Sequence, residues 1–242
     1  MLTQNYSRFV SRGVEMKKTC AVIFLGFIVS LFLLGCGGGG GSAFKITVEG
    51  RVIDSQRGAV SGVNVSATAG SGTAFSDTTE SGGWFGFEGV PLGVPVNITV
   101  SGGSIATRTF RGIVFEGAGS GTKACLDLFL TTSAVAPPAG STVRIAPSVA
   151  KVTAGGQDYR ALITSPGISN PYYSYASWVI TGDAVGRIDS SDWMTCNVSA
   201  VRDGSAKITA IVLLKDGSIT TDTLDVATDM EGVEPPPGPP QP

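Results

Sequence analysis

Histidine is absent from the 242 residues of this chain. The Ser-His-Asp triads of hydrolases and most catalytic zinc sites need an imidazole, so the sequence excludes both kinds of site. Charged residues make up only 15% of the chain and form no basic cluster, which argues against a nucleic-acid partner. Glycine, serine, threonine and valine are abundant, and they favour short strands joined by tight turns. We therefore expect an all-β protein with no catalytic residue, no metal site and no cofactor.

One long apolar run is present, close to the N-terminus. Met16-Lys17-Lys18 precedes the uncharged residues 19–34, and Leu33-Leu34-Gly35-Cys36 leads into five glycines. A basic start, a short apolar run and a small residue at its end are typical of a signal peptide. The segment resembles the lipobox of bacterial lipoprotein signal peptides. We expect translation to begin at Met16, because residues 1–15 are an unusual extension for a signal peptide.

The lipobox resemblance implies a lipidation site at Cys36. The cysteine would receive a diacylglycerol, the chain would be cut before it, and the new N-terminus would be acylated. Residues 1–35 are then the signal peptide, which includes the signal helix, and residues 36–43 are a glycine-rich tether. The implied partner is a membrane, held through the acyl chains, and the location is extracytoplasmic, on the outer membrane or cell surface. An uncleaved hydrophobic anchor is the alternative, although the run is shorter than the ~20 residues of a spanning helix. The third alternative, which the sequence favours least, is a cytosolic protein.

The part of the chain that follows the signal peptide is mildly acidic. Cleavage removes four of the 17 basic residues and one of the 19 acidic residues, which leaves a net charge of −5. Two cysteines remain besides Cys36, namely Cys125 and Cys196. They would lie in an oxidising space, where a disulfide is allowed. The sequence leaves their pairing open, but Cys196 alternates with apolar residues and favours a buried free thiol.

Residues 44–132 alternate between apolar and polar side chains, as half-buried strands do. Six or seven such strands indicate a small antiparallel β-sandwich. In the strand that contains Trp84, Phe85 and Phe87, we expect both phenylalanines to point inward and Trp84 outward. We expect Asp127 to point outward as well, opposite the leucines of the last strand.

This unit resembles the carboxypeptidase regulatory-like domain, a transthyretin-like sandwich. The matching segments are Gly50-Arg51-Val52-Ile53-Asp54, Gly58, Val60, Gly62-Val63-Asn64-Val65, Thr79-Glu80-Ser81-Gly82-Gly83-Trp84-Phe85-Gly86-Phe87 and Gly89-Val90-Pro91-Leu92-Gly93. In the enzymes of that name the domain accompanies a separate zinc peptidase domain. The resemblance therefore implies a structural or binding module that does not catalyse a reaction.

Residues 133–141 are a proline-containing linker, and strand patterns resume over residues 142–230. Asp203-Gly204 and Asp216-Gly217 predict hairpin turns, and Trp178 is the expected core tryptophan. This unit resembles bacterial Ig-like domains of the group 2 type, and the resemblance implies a second β-sandwich that folds independently. Residues 231–242 are a proline-rich tail that we expect to be disordered. The matching segments are Ile145-Ala146-Pro147, Ala154-Gly155-Gly156, Ser177-Trp178-Val179, Gly186-Arg187-Ile188-Asp189 and Gly204-Ser205-Ala206-Lys207-Ile208-Thr209-Ala210.

Three aromatic residues are candidates for ligand binding. Tyr172 and Tyr173 follow Pro171 in a predicted loop, and together with Trp84 they could stack on sugar rings. Scattered surface aromatics are common, so the competing interpretation gives them no function. A second set of side chains, Asp183, Asp189 and Asp192, could collect around calcium, but aspartate is common in turns and we favour that reading.

The sequence thus predicts a lipid-anchored protein of the bacterial cell envelope that acts as a non-catalytic structural or binding module. The partner, besides the membrane, would be an envelope protein or a polysaccharide. The alternative is a carbohydrate-binding accessory lipoprotein. No feature of the sequence supports an enzymatic function.

Overall fold

The computed structural model describes residues 44–230 apart from 56–57, 71, 104, 118–122, 132–134, 183 and 186–193. Every regular element in this part is a β-strand, which confirms the predicted all-β class. No helix in it is long and apolar enough to cross a membrane. The predicted signal helix, the tether and the tail lie outside the described residues, as do Cys36, Asp183, Asp189 and Asp192.

Sixteen strands are described, eight in each half of the chain. Those of the first half are β1 (Lys45–Asp54), β2 (Gly58–Ala59), β3 (Asn64–Ala69), β4 (Ala74–Thr78), β5 (Trp84–Pro91), β6 (Pro95–Ser101), β7 (Arg108–Val114) and β8 (Lys123–Leu130). Those of the second half are β9 (Thr142–Ala146), β10 (Lys151–Thr153), β11 (Gln157–Thr164), β12 (Tyr172–Ser174), β13 (Ser177–Thr181), β14 (Thr195–Val198), β15 (Gly204–Leu213) and β16 (Ile219–Asp229).

The strands form three sheets. The central sheet has eight strands in the order β10-β16-β15-β13-β8-β1-β2, with β5 also paired to β1. The first outer sheet runs β4-β3-β6-β7, and the second outer sheet runs β12-β11-β14 with β9 also paired to β11. The central sheet is mixed, because β1 runs parallel to β8 and β10 runs parallel to β16. The prediction of purely antiparallel sheets was therefore wrong for these two pairs.

The two halves of the chain share the central sheet. Strand β8 of the first half pairs antiparallel with β13 of the second, over residues 124–127 and 178–181. The boundary that we predicted at residues 133–141 therefore joins two halves of one sheet and does not separate two closed sandwiches. The described residues of both halves accordingly belong to one compact unit.

Two hydrophobic cores lie on opposite faces of the central sheet. The first core packs it against the first outer sheet, and the second core packs it against the second outer sheet. Side chains of β13 alternate between them: Val179 lies in the first core, Trp178 and Ile180 in the second. A strand that is covered on both faces must be apolar on both, and residues 210–213 of β15 are accordingly all buried.

Several predictions about single residues are confirmed. Phe85 and Phe87 are buried in the first core, and Trp84, which directly precedes Phe85, is half-buried, as the period of a strand requires. Trp178 is 2% exposed in the second core. Cys196 is a buried free thiol, and burial, followed by the nearby Asp127 and Asp158, raises its pKa well above the usual value.

Two predictions about turns had different outcomes. Asp216-Gly217 does lie in the turn of the β15–β16 hairpin, where Gly217 has a φ of 82° that suits glycine. Asp203-Gly204 does not close a hairpin, because β14 belongs to the second outer sheet and β15 to the central sheet. The chain crosses between layers there, and the Asp203 carboxylate accepts a hydrogen bond from the Met230 backbone N–H at 2.7 Å.

Candidate functional site

A groove of about 780 Å³ opens where the two halves of the chain meet. One wall is β7, which is the last strand of the first outer sheet. The other wall is the β15–β16 hairpin, and buried apolar residues from the linker and from β15 form the floor. The linker also fixes the hairpin tip, because the Lys215 backbone N–H donates to the Pro137 carbonyl at 2.9 Å. The groove is thus assembled from three segments that are distant in sequence.

The rim of the groove carries three cations and one anion. Arg108 and Arg111 come from β7, and Lys215 and Asp216 come from the hairpin tip. None of the three cations forms an ion pair with another residue in the described part of the chain. Asp216 accepts hydrogen bonds from the Ser218 hydroxyl at 2.6 Å and from its N–H at 3.0 Å, which lower the pKa of Asp216. The rim is therefore cationic by about two charges at neutral pH, although residues 36–242 carry a net charge of −5.

The floor of the groove contains one buried polar residue, Thr131, directly after β8. It is 4% exposed, and its Oγ1 atom has no hydrogen-bond partner among the described residues. A buried hydroxyl in this state costs about 1–3 kcal/mol. Thr107 and Thr109 on the β7 wall and Ser218 on the hairpin add further hydroxyl groups, and none of the described residues that line the groove is aromatic.

Tyr172 and Tyr173 do not form a shared platform. They lie on the short strand β12, not in a loop, and successive residues of a strand point to opposite faces. Tyr172 packs against the second core, with its hydroxyl 3.2 Å from that of Ser165. Tyr173 is 44% exposed and has the Arg160 guanidinium 5.5 Å from its ring centroid. A binding role for Tyr173 stays a prediction.

Trp84 belongs to β5 of the central sheet, and β12 belongs to the second outer sheet, so the three aromatic candidates do not share a sheet. The Arg51 guanidinium lies over the Trp84 ring at 5.1 Å and covers one of its faces. Arg51 also donates to the Asp127 carboxylate at 2.9 Å. Asp127 is buried at 6% exposure, so the prediction that it points to solvent was wrong.

No group of three or more metal-binding side chains is present within the described ranges. The three aspartates considered for calcium lie outside those ranges. Cys125 and Cys196 are not joined by a disulfide, and neither is among the described residues that line the groove.

Sequence reasoning missed the groove. Arg108 and Arg111 lie near the end of a predicted strand, where charged side chains are ordinary surface residues. Of the features that the sequence predicted, only the Asp216-Gly217 turn belongs to a wall of the groove. The pairing of β8 with β13 brings these segments together, and no local pattern encodes that pairing.

The described residues form an all-β fold of three stacked sheets. No family model matches the chain. No curated protein matches it either. Among solved structures, it is similar to BcpA, the major pilin subunit of Bacillus cereus, at 9% identity and a TM-score of 0.25, over 76% of this chain and 69% of that one. A variant of the same pilin matches at 8% identity and a TM-score of 0.25, over 77% and 69%.

Proposed function

We propose that this chain is a lipid-anchored protein of a bacterial cell envelope whose β-domain serves as a non-catalytic binding or structural module. The observation that carries the proposal is the segment Leu33-Leu34-Gly35-Cys36, which follows a basic start and an apolar run and precedes five glycines. Two or more acyl chains give stable anchoring, because each buried CH₂ contributes about 0.8 kcal/mol.

The length of the tether supports this arrangement. Lys45, at the start of β1, lies nine positions after Cys36. A chain of that length spans at most about 30 Å when fully extended. The β-domain of an anchored protein would therefore stay within roughly that distance of the membrane surface and could meet partners in the envelope.

The groove supports binding as the role of the β-domain. Asp216 is the carboxylate on its described rim, and both of its hydrogen bonds there are made with Ser218. The lining thus offers cations and hydroxyls that can hold a ligand, but no pair of a general acid and a general base.

Metabolic labelling with palmitate tests the anchor. Expressed in a bacterium, the full chain should incorporate palmitate and partition into the detergent phase. Cys36→Ala should lose both properties. Cys20→Ala removes the other cysteine near the N-terminus, within the apolar run, and is the matched control that should keep both. Labelling that persists in Cys36→Ala would refute the lipidation site.

A further inference from the structure

Strand β7 has a free edge that borders the groove. It pairs with β6 on one side, and no strand of the described part pairs with its other side. Thr107, Arg108, Thr109 and Arg111 line the groove, and the segment 107–111 that carries them extends over roughly 16 Å, at about 3.3 Å per residue. Such an edge presents backbone N–H and C=O groups that an added strand can pair with.

A β-bulge interrupts strand β7 directly after Arg111, and the ladder with β6 resumes at Ile113. The β6–β7 register shifts between Val96 and Ile98, and Gly112 adopts a φ of 73° there. The Gly112 N–H donates to the Asn97 side-chain oxygen at 3.0 Å, which holds the bulge. A strand that paired with the β7 edge would therefore span about five residues, and the groove volume has room for a segment of that length.

The charges around this edge indicate which kind of strand could pair with it. Arg108, Arg111 and Lys215 surround it without ion-pair partners in the described part, and Asp216 is the opposing charge. Two copies of this chain that paired through their β7 edges would bring the arginines of both copies together, and like charges across a ladder are unfavourable. An acidic strand would instead meet complementary charge.

We propose that the groove binds an acidic peptide segment of a partner protein in extended conformation, as a strand added to the edge of β7. This names the partner class for the binding role proposed above and rests on that role, but not on the lipid anchor. The cations would contact carboxylates of the peptide, and the backbone of residues 107–111 would supply ladder hydrogen bonds.

An acidic oligosaccharide fits the observations less well. The cations and hydroxyls would suit it, but sites that bind sugar rings usually include an aromatic face, and the described lining of the groove contains none. It would also leave the backbone groups along the β7 edge without the regular partners that a peptide offers.

Binding of labelled peptides to the detergent-solubilised full-length protein tests the proposal. The probes are an eight-residue peptide of alternating glutamate and valine, its lysine–valine counterpart, and the acidic peptide with alternate backbone amides methylated. Oligogalacturonate is the sugar probe. We expect the acidic peptide to bind, the basic peptide to fail, and the methylated peptide to bind at least about tenfold more weakly, because methylation removes ladder hydrogen bonds and keeps the charge.

Variants locate the site. The triple change Arg108→Gln, Arg111→Gln and Lys215→Gln should weaken binding of the acidic peptide at least about tenfold. The matched control, Lys45→Gln, Lys123→Gln and Arg144→Gln, removes the same charge from exposed positions outside the groove and should bind within about twofold of wild type. Circular dichroism should show that both variants remain folded.

Four results would overturn the proposal. Equal affinity for the acidic peptide and its methylated form would mean attraction by charge without an added strand. Binding of oligogalacturonate in place of the peptide would make the site a glycan site. Dimers that form with rising concentration and that the groove variant abolishes would show that a second copy of the chain occupies the groove. Failure of the acidic peptide to bind would show that the groove is not a peptide site. Because acylation of Cys36 is measured in a separate experiment, either the proposed lipid anchor or the proposed peptide site can be refuted without the other.

Discussion

Asp127 of β8 lies directly opposite Trp178 of β13 in the antiparallel ladder that joins the two halves of the chain. On its other side Asp127 is opposite Arg51 of β1, with which it forms an ion pair of 2.9 Å, and Arg51 in turn is opposite Trp84 of β5. Four strands from both halves therefore contribute to a single row across the central sheet. The two halves depend on each other for the burial of this row.

The shared sheet changes what we expect of fragments. Residues 44–132 and 141–230, made separately, would each expose a long strand edge and an apolar face that the other half covers in the intact chain. We expect residues 44–230 to unfold in urea in one transition, with tryptophan fluorescence and circular dichroism coinciding. Each fragment should either unfold at a clearly lower urea concentration than residues 44–230 or fail to fold. Fragments that unfold at the midpoint of the whole would show that the halves are independent.

The sequence predicted the individual strands better than their arrangement. Alternation placed Phe85, Phe87 and Cys196 correctly, because each lies in a strand with one apolar set. Alternation gave the wrong orientation for Asp127, because residues more than forty positions further along the chain cover the second face of β8. The near-continuous apolar run of β15 is the signal of a strand buried on both faces, but a run alone does not say which strand lies beside it.

Substitutions in β5 test the register of that strand. Phe87→Ala should lower the free energy of unfolding by about 3–5 kcal/mol, because the ring is buried in the first core. Trp84→Ala should cost less, since it loses a half-buried ring and a contact with Arg51 that is worth about 0.5–1 kcal/mol. Urea unfolding of the whole β-domain measures both, and a larger loss for Trp84→Ala would contradict the register.

Gly50 should tolerate no side chain. A Cβ at this position would lie 2.3 Å from the Phe85 ring and 2.4 Å from the Leu126 carbonyl oxygen, and the latter cannot move without breaking the ladder. Gly50→Ala should therefore destabilise the protein by about 1–3 kcal/mol or more. Gly86→Ala in the facing strand, where the nearest atom is 3.8 Å from the added Cβ, is the matched control. Equal thermal midpoints for the two variants would show that the first core is looser than described.

Tyr159 should make stability fall at alkaline pH. Burial, and secondarily the adjacent Cys196, raises the pKa of Tyr159 to about 12. The unfolded chain then loses the phenol proton near pH 10, before the folded chain does, so this stabilisation is complete below about pH 10 and is lost as pH rises to about 12. Urea unfolding at several pH values should show a shallower alkaline loss for Tyr159→Phe. The exposed-site control Tyr173→Phe should keep the wild-type loss, and identical profiles for both variants would contradict the assignment.

The candidate site was less predictable than the fold. The aromatic residues that the sequence marked are engaged locally: Tyr172 packs on the second core, Trp84 lies against Arg51, and Tyr173 is on the opposite face of its strand from Tyr172. The groove residues carry no motif, because their function in this account depends on a strand edge and on charge that only the assembled sheets bring together. A pattern within one strand cannot reveal a site built between strands of two sheets.

Mass spectrometry of the mature N-terminus tests the central claim most directly. The protein would be purified from bacterial membranes, digested, and its N-terminal peptide sequenced with its modification. The account predicts a peptide that begins at Cys36 and carries a thioether-linked diacylglycerol with an acylated amino group. An N-terminal peptide that begins at Met1 or Met16, or one that begins at Cys36 with an unmodified thiol, would contradict it.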